Sequence, residues 1–283
     1  MSALSPYFLT PDNLLGLTRH LAEIGLIACG MTFVIATGGI DLSVGSLLGL
    51  CCISLGYSWQ LWGPIPALVL CILTGLIGGL LNGSLVARYH LPPLIVTLAT
   101  MAFFRGLAMV ISKAQPISQF PSTFGWLGQG DLLVLPTQLW VWILIALITF
   151  YLAHHTLFGR QTTAIGNNQQ AATIAALPVA KIQATLYTGT GFLCALAAII
   201  FTSRVATAKA DAGLGLELEV ITAVVLGGTP ITGGRSNIIG TCIGVLILGI
   251  VRNGLSLAGI STVWQAMLLG TILIITAIAN HRY

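Results

Sequence analysis

Long apolar runs, separated by short polar or glycine-rich stretches, fill the 283-residue chain. A helix needs about 20 mostly apolar residues to cross the hydrocarbon core of a bilayer. Several of the runs are too short to cross alone. The apolar segments are residues 21–37, 43–56, 61–87, 94–111, 139–153, 185–202, 218–226, 238–250 and 262–279. The pattern predicts an all-α, polytopic membrane helix bundle of about nine hydrophobic segments, forming one domain over residues 1–283.

Composition favours the same class of protein. Charged residues make up 6% of the chain and hydrophobic residues 56%, whereas soluble domains carry roughly 25% charged residues. So few charges cannot cover a water-soluble surface. The net charge of +4 is too dilute for a nucleic-acid-binding patch, so we expect no nucleic-acid partner. The six cysteines lie in apolar runs without metal-ligand spacing, and we expect neither a metal site nor disulfides.

Basic residues predict the orientation of the chain. Residues 154–183 carry Arg160 and Lys181 and no acidic residue, which is typical of a cytoplasmic loop. The spans before and after this loop then place residues 113–138 and 203–217 outside. Residues 1–20 lack the apolar core of a cleavable signal peptide.

A glycine-rich break interrupts the first apolar stretch. Adjacent Gly38 and Gly39 disfavour a continuous helix, and Gly45 follows in the next segment. Asp41 would lie at membrane depth, where a charge costs about 2.5–3.5 kcal/mol. Irregular backbone is tolerated there only inside protein or beside a wet cavity. Two interpretations stay open: Asp41 or Ser43 caps the next helix, or both side chains line a polar pathway for a solute.

A second break, residues 227–236, has a similar order of residues. Laying Gly38 on Gly227 places Pro230 opposite Asp41. The likeness suggests an internal repeat, which is common in transporters. The residues assigned to this break or to the pathway beside it are Gly227, Gly228, Thr229, Thr232, Gly233 and Gly234. The break lacks the lysine of a phosphate-binding P-loop, so we exclude nucleotide binding there.

Other polar and small residues have structural explanations. Glycines four residues apart predict close helix packing; they are Gly45/Gly49, Gly75/Gly79/Gly83 and Gly240/Gly244. Glu23 and Arg105 lie inside apolar runs. For both we favour side chains that reach outward to the membrane surface over pairing inside the bundle.

The predicted cytoplasmic loop contains a short helix. Asn167 or Asn168 can cap a helix over residues 169–176, and Leu177 and Pro178 end it. So short a helix is unstable alone in water and needs a partner surface. It either docks on another protein or merely connects two spans. The candidate docking residues are Gly166, Asn167, Asn168, Gln169, Gln170, Ala171, Ala172 and Pro178.

Several of these motifs together resemble the permeases of bacterial sugar ABC importers, in particular the ribose, xylose, rhamnose and autoinducer-2 permeases. They are TGGIDLSVGS at 37–46, GR at 159–160, AIGN at 164–167, AA at 171–172, GLEL at 215–218 and VLGG at 225–228. The resemblance extends from residue 8 to residue 279. Family members usually begin with one more span, so the resemblance implies nine spans here instead of ten, with the N-terminus outside.

The resemblance implies a function and partners. The chain would be a permease in the bacterial inner membrane that translocates a monosaccharide or a similar small polyol. It would pair with a second copy or a paralogue and receive its cargo from a periplasmic sugar-binding protein that meets residues 203–217. A separate cytoplasmic ATPase would use the ATP and grip the helix at 169–176. The permease itself would need no cofactor and catalyse no reaction.

Two other classes of membrane protein are alternatives. An ion-coupled secondary transporter of a small polar solute often carries several acids within the membrane, whereas Asp41 is nearly alone here. A membrane enzyme needs a cluster of catalytic polar groups, and the sequence offers none that is convincing.

Overall fold

The computed structural model describes residues 7–281, with side chains up to residue 278. The long helices of this part are α1 (Pro11–Ala36), α2 (Val44–Trp62), α3 (Pro64–Ala87), α4 (Pro93–Ser112), α6 (Thr137–His155), α9 (Val179–Val205), α11 (Ile238–Leu257) and α12 (Thr262–His281). The shorter helices are α5 (Trp126–Gln129), α7 (Leu157–Asn167), α8 (Gln169–Ile174) and α10 (Leu216–Leu226). Each predicted apolar segment corresponds to a helix, and the all-α membrane bundle is confirmed. By length and apolar composition, seven of the described helices can cross a bilayer.

Helix α1 lies at the centre of the bundle, in contact with α6, α9, α10 and α11. Of its most apolar stretch, 83% is buried inside the protein, against 28% for α3, α4 and α6. The outer helices therefore present apolar side chains outward, where a bilayer solvates them.

Glycines let two helix pairs approach closely, as the sequence predicts. A Cβ atom on Gly79 of α3 would lie 2.3 Å from the carbonyl oxygen of Tyr187 on α9. A Cβ atom on Gly244 of α11 would lie 2.1 Å from the carbonyl oxygen of Ala223 on α10. Only glycine leaves room for these backbones.

The connection between α6 and α4 forms a small cap at one end of the bundle. It comprises a 3-10 turn at Ser122–Gly125, α5, and an antiparallel pair of strands, β1 (Asp131–Leu132) and β2 (Leu135–Pro136). Gly128 abuts the end of α9, because a Cβ atom there would lie 2.1 Å from the backbone nitrogen of Arg204.

The segment between α9 and α10 differs from the prediction of an outside loop. Residues 206–215, here called the re-entrant segment, pass along α2 from the level of Gly56 to that of Gly45. This span of helix covers about 16 Å. A Cβ atom on Gly49 would lie 2.7 Å from the carbonyl oxygen of Ala210. The stripe of Gly45 and Gly49 therefore packs against irregular backbone, and the prediction of a helix partner for it is wrong.

Glu23 and Arg105 also differ from expectation. Glu23 is buried and accepts two hydrogen bonds from Arg204, at 2.8 and 3.1 Å. Arg105 turns inward and donates to the carbonyl oxygens of Ala210 and Ala212. Neither side chain reaches outward, because a distant part of the chain supplies its polar partner.

Candidate functional site

The first break is a closed hydrogen-bonded turn. One carboxylate oxygen of Asp41 accepts from the backbone N–H of Ser43 at 2.9 Å and from its hydroxyl at 2.7 Å. Asn82 of α3 donates to the Ser43 hydroxyl at 2.7 Å. Asp41 is 1% exposed, and Ser43 and Asn82 are fully buried. The Asp41 carboxylate thus holds the turn just before α2, where Ser43 is the N-cap residue of the helix and its side chain accepts no hydrogen bond from the first turn.

Two buried polar atoms beside this turn are able to form further hydrogen bonds. Within the described part of the chain, neither Oδ1 of Asn82 nor the hydroxyl of Tyr187 has a hydrogen-bond partner. The Tyr187 hydroxyl closes on Gly39, where a Cβ atom would lie only 2.7 Å away. Burying an unpaired polar group costs about 1–3 kcal/mol. Water or a solute hydroxyl has the hydrogen-bonding groups to satisfy either atom.

Asn82 was missed by the sequence analysis. The sequence does mark Asn82, because it is the one amide side chain inside the apolar run of α3 and it precedes Gly83 of the glycine stripe. A polar residue inside such a run marks a partner within the bundle.

The second break is organised by Asn237, which the sequence analysis also missed. Its Oδ1 caps α11 by accepting from the N–H of Gly240 at 3.0 Å, and its Nδ2 donates to the carbonyl oxygen of Gly227 at 2.9 Å. Its own N–H donates to the hydroxyl of Thr229, which is buried. Thr232 is exposed. An Asn directly before an apolar run is the sequence signal of such a cap.

The two breaks share their local geometry, but in a register one residue away from the predicted one. Gly38 has φ 78° and donates to the carbonyl oxygen of Ile35, whereas Gly228 has φ 85° and donates to that of Val225. Gly38 therefore corresponds to Gly228, because Gly227 still has helical φ and ψ at the end of α10. The shared geometry supports an internal repeat.

Both breaks meet the end of α7. The N–H of Gly234 donates to the carbonyl oxygen of Ala36 at 2.9 Å. A Cβ atom on Gly166 would lie 1.9 Å from that same oxygen and 2.4 Å from the nitrogen of Gly234. Ala36, Gly166 and Gly234 thus form a three-way backbone contact. Gly233 adds to it, since its Cβ atom would lie 2.7 Å from the nitrogen of Gly38.

The predicted short helix exists as α8, and Asn168 is its cap. The side chain of Asn168 accepts from the N–H of Ala171 at 2.9 Å. Asn167 instead directs Oδ1 at Gly234, whose Cβ atom would lie 2.3 Å from it. The helix ends at Ile174, two residues earlier than predicted, because Ala176 adopts a φ of 60° before Pro178.

The surface of α8 is divided. Gln169, Gln170 and Ala171 are exposed, and Ile174 is 87% exposed. Ala172 is 5% exposed and faces the bundle. A bulky apolar side chain on an otherwise Gln- and Ala-rich turn is the feature that the sequence analysis overlooked.

A cavity of about 620 Å³ lies where α1, α10 and α11 meet the end of α9. Two ion pairs line it, Glu23 with Arg204 and Glu219 with Arg252, and Asp12 and His20 lie beside them. Asn13 and Asn253 exchange amide hydrogen bonds at its rim. No group of three or more His, Cys, Asp and Glu among the described residues could hold a metal ion.

Comparison with known proteins gives consistent matches along the chain. Residues 13–277 match the family described as branched-chain amino acid transport system / permease component. The chain is 42% identical to the ribose import permease of Bacillus subtilis (strain 168), over 100% of this chain and 88% of that protein. It is 36% identical to the ribose import permease of Escherichia coli (strain K12), over 100% and 89%. It is also 36% identical to an autoinducer 2 import system permease of Escherichia coli (strain SMS-3-5), over 98% and 86%. No solved structure is detectably similar.

Proposed function

The chain belongs to the family of branched-chain amino acid transport system permease components and is the membrane-spanning permease of an ABC importer, and we propose that its cargo is a monosaccharide or a similar small polyol. The names of the relatives support this cargo, since two are ribose permeases and one an autoinducer 2 permease. The family and the seven apolar helices among the described residues indicate that the chain is a multi-pass protein of the bacterial inner membrane.

Uncharged polar groups beside the first break suit such a cargo. The Ser43 hydroxyl contacts the Asn82 amide, and the Tyr187 hydroxyl lies against Gly39 of the same break. Oδ1 of Asn82 and the Tyr187 hydroxyl lack a partner within residues 7–281. Hydroxyl and amide groups donate and accept hydrogen bonds, as sugar hydroxyls do. We propose Asp41, Ser43 and Thr229 as the residues that brace the pathway and Thr232 as a residue that lines it.

The partners follow from the same proposal. A cytoplasmic ATPase docks on α8 through the exposed Gln170, Ala171 and Ile174. A second copy or a paralogue pairs with the permease, and a periplasmic binding protein delivers the cargo at the opposite end. The ATP is used by the ATPase, and the permease needs no cofactor of its own.

The three-way contact of Ala36, Gly166 and Gly234 is the observation that carries the mechanism. The docking helix follows directly after α7, whose end touches the backbone of both breaks. Movement of α8 with the ATPase therefore displaces both breaks together. The importer alternates between inward- and outward-open states, because ATP and the loaded binding protein each favour one state over the other.

The proposal is tested with the permease, its ATPase and its binding protein in proteoliposomes. We expect uptake of radiolabelled ribose that requires ATP and loaded binding protein and persists when ion gradients are collapsed. Uptake driven by an ion gradient without ATP would contradict the mechanism. Nucleotide-dependent transport that excludes ribose and other pentoses and hexoses would contradict the proposed cargo.

A further inference from the structure

We infer that Lys209 and Asp211, on the exposed edge of the re-entrant segment, form a cargo-binding site for the hydroxyl groups of a polyhydroxylated solute. The inference rests on the proposed function and adds a contact site to it. The sequence predicts an outside loop here that faces the binding protein, whereas the structure places the segment along α2.

The re-entrant segment lies deep in the bundle. The re-entrant segment lies beside α2 between Gly56 and Gly45, and α2 has 19 residues. A helix of this length is about 28 Å long, close to the thickness of the hydrocarbon core of a bilayer. The re-entrant segment therefore lies at membrane depth. Irregular backbone at such depth persists only when it is buried in protein or lines a water-filled cavity.

The re-entrant segment has a buried edge and an exposed edge. Ala208, Ala210 and Ala212 are buried, with Ala208 and the carbonyl oxygens of Ala210 and Ala212 close to α2. Lys209 and Asp211, between them, are exposed. A charge facing lipid at the bilayer centre costs about 2.5–3.5 kcal/mol even on the lenient insertion scale. Two adjacent charges on one edge therefore face water, and an aqueous route runs along that edge.

Hydrogen bonds hold the backbone of the exposed edge in a fixed place. The backbones of Ala208 and Ile117 exchange two hydrogen bonds of 2.9 Å. Farther along, Nη1 of Arg105 donates to the carbonyl oxygens of Ala210 and Ala212. These bonds fix the backbone on both sides of Lys209 and Asp211. Pre-organised groups bind a solute with less loss of entropy than mobile ones.

The side chains of Lys209 and Asp211 complement the hydroxyl groups of a sugar. An ammonium group donates hydrogen bonds only, and a carboxylate accepts them only. Neighbouring hydroxyls of a sugar offer both an acceptor and a donor, so one Lys and one Asp two residues apart in an exposed segment suit a vicinal diol.

The test uses the complete importer in proteoliposomes and measures the concentration dependence of ribose uptake. For Lys209→Met and Asp211→Asn we expect a fall of at least tenfold in uptake at low concentrations of loaded binding protein. Sedimentation of the binding protein with the vesicles should stay unchanged. The matched control is Asp131→Asn, an exposed acid in the cap at β1, which should transport like the unmodified importer.

Two results would overturn the inference. One is unchanged uptake in both variants. The other is a loss of uptake matched by an equal loss of binding-protein association, which would make the edge a docking surface. If the unmodified importer moves no sugar, the proposed function fails instead, and the two failures are distinguishable.

A second measurement guards against misfolding of the variants. Asp211→Cys should react with a membrane-impermeant thiol reagent, and ribose-loaded binding protein with ATP should slow that reaction several-fold. A cysteine that reacts only with a membrane-permeant reagent would place this edge in lipid or in buried protein, and would equally overturn the inference.

Discussion

Whether a glycine can be replaced depends on the atoms that a Cβ atom at its position would meet. At Gly166 the nearest atoms belong to the backbones of both breaks, and neither can rotate away as a side chain can. At Gly106, in α4, no described atom lies within 4 Å of a built Cβ atom. The same residue type is therefore obligatory at one position and replaceable at the other.

Gly166→Ala tests this difference. Forcing a methyl group into packed backbone costs typically 1–3 kcal/mol, so we expect a lower midpoint of thermal unfolding in detergent and weaker ATP-driven uptake. For Gly106→Ala the midpoint of thermal unfolding should stay the same or rise slightly, because Ala stabilises a helix by up to about 1 kcal/mol relative to Gly. Equal midpoints for the two variants would contradict the three-way contact.

The buried ion pair of Glu23 and Arg204 yields a second prediction at this scale. Their side chains are only 7% and 17% exposed, and removing one partner of a buried pair costs about 3–5 kcal/mol. We expect Glu23→Gln to lower the free energy of unfolding by that order, measured by denaturant titration in detergent.

The exposed pair of Arg19 and Asp131 supplies the control, with exposures of 23% and 50%. Asp131→Asn should cost about 0–1 kcal/mol. Similar losses in both variants would mean that burial does not set the strength of the Glu23 pair.

Among the elements, α8 depends on what binds it. It has six residues, too few to be stable alone in water. Ile174 is its most exposed apolar side chain. We expect Ile174→Glu to abolish co-purification of the ATPase subunit and to stop uptake, while the variant still inserts into the membrane.

Val134→Glu is the matched control, since Val134 is 82% exposed but lies in the cap, away from α8. It should keep the ATPase bound. Retention of the ATPase by Ile174→Glu would contradict docking through this face of α8.

The sequence predicts elements better than it predicts their neighbours. Apolar runs sufficed for every long helix, and an Asn before Gln-Gln-Ala-Ala sufficed for α8. The path of residues 206–215 could not be predicted, because it depends on a groove in α2 some 160 positions earlier in the chain. For the same reason Glu23 was given no partner, since Arg204 is 181 residues away.

For the whole molecule, the two ends of the bundle carry different structures. α7 and α8 lie beside the breaks at one end, and the cap lies beside the start of α1 at the other, where Arg19 meets Asp131. Basic residues assign the α7–α8 end to the cytoplasm. In the proposed importer the binding protein and the ATPase therefore act on opposite ends of the bundle.

Single added cysteines test this orientation in intact cells. An impermeant thiol reagent should label Val134→Cys from outside and leave Gln170→Cys unlabelled until the membrane is opened. Five of the native cysteines are buried and Cys242 is half-buried, so background labelling should be low. Labelling of Gln170→Cys from outside would reverse the proposed orientation.

The central position of α1 has a consequence for biosynthesis. Among the helices described, α1 leaves the ribosome earliest, yet it packs against α9, α10 and α11, which are made much later. Its Glu23 must wait about 180 residues of translation for its counter-ion. At bacterial elongation speeds this takes on the order of ten seconds. We therefore expect the nascent chain to depend on a membrane chaperone or insertase that shelters this helix until the later ones arrive.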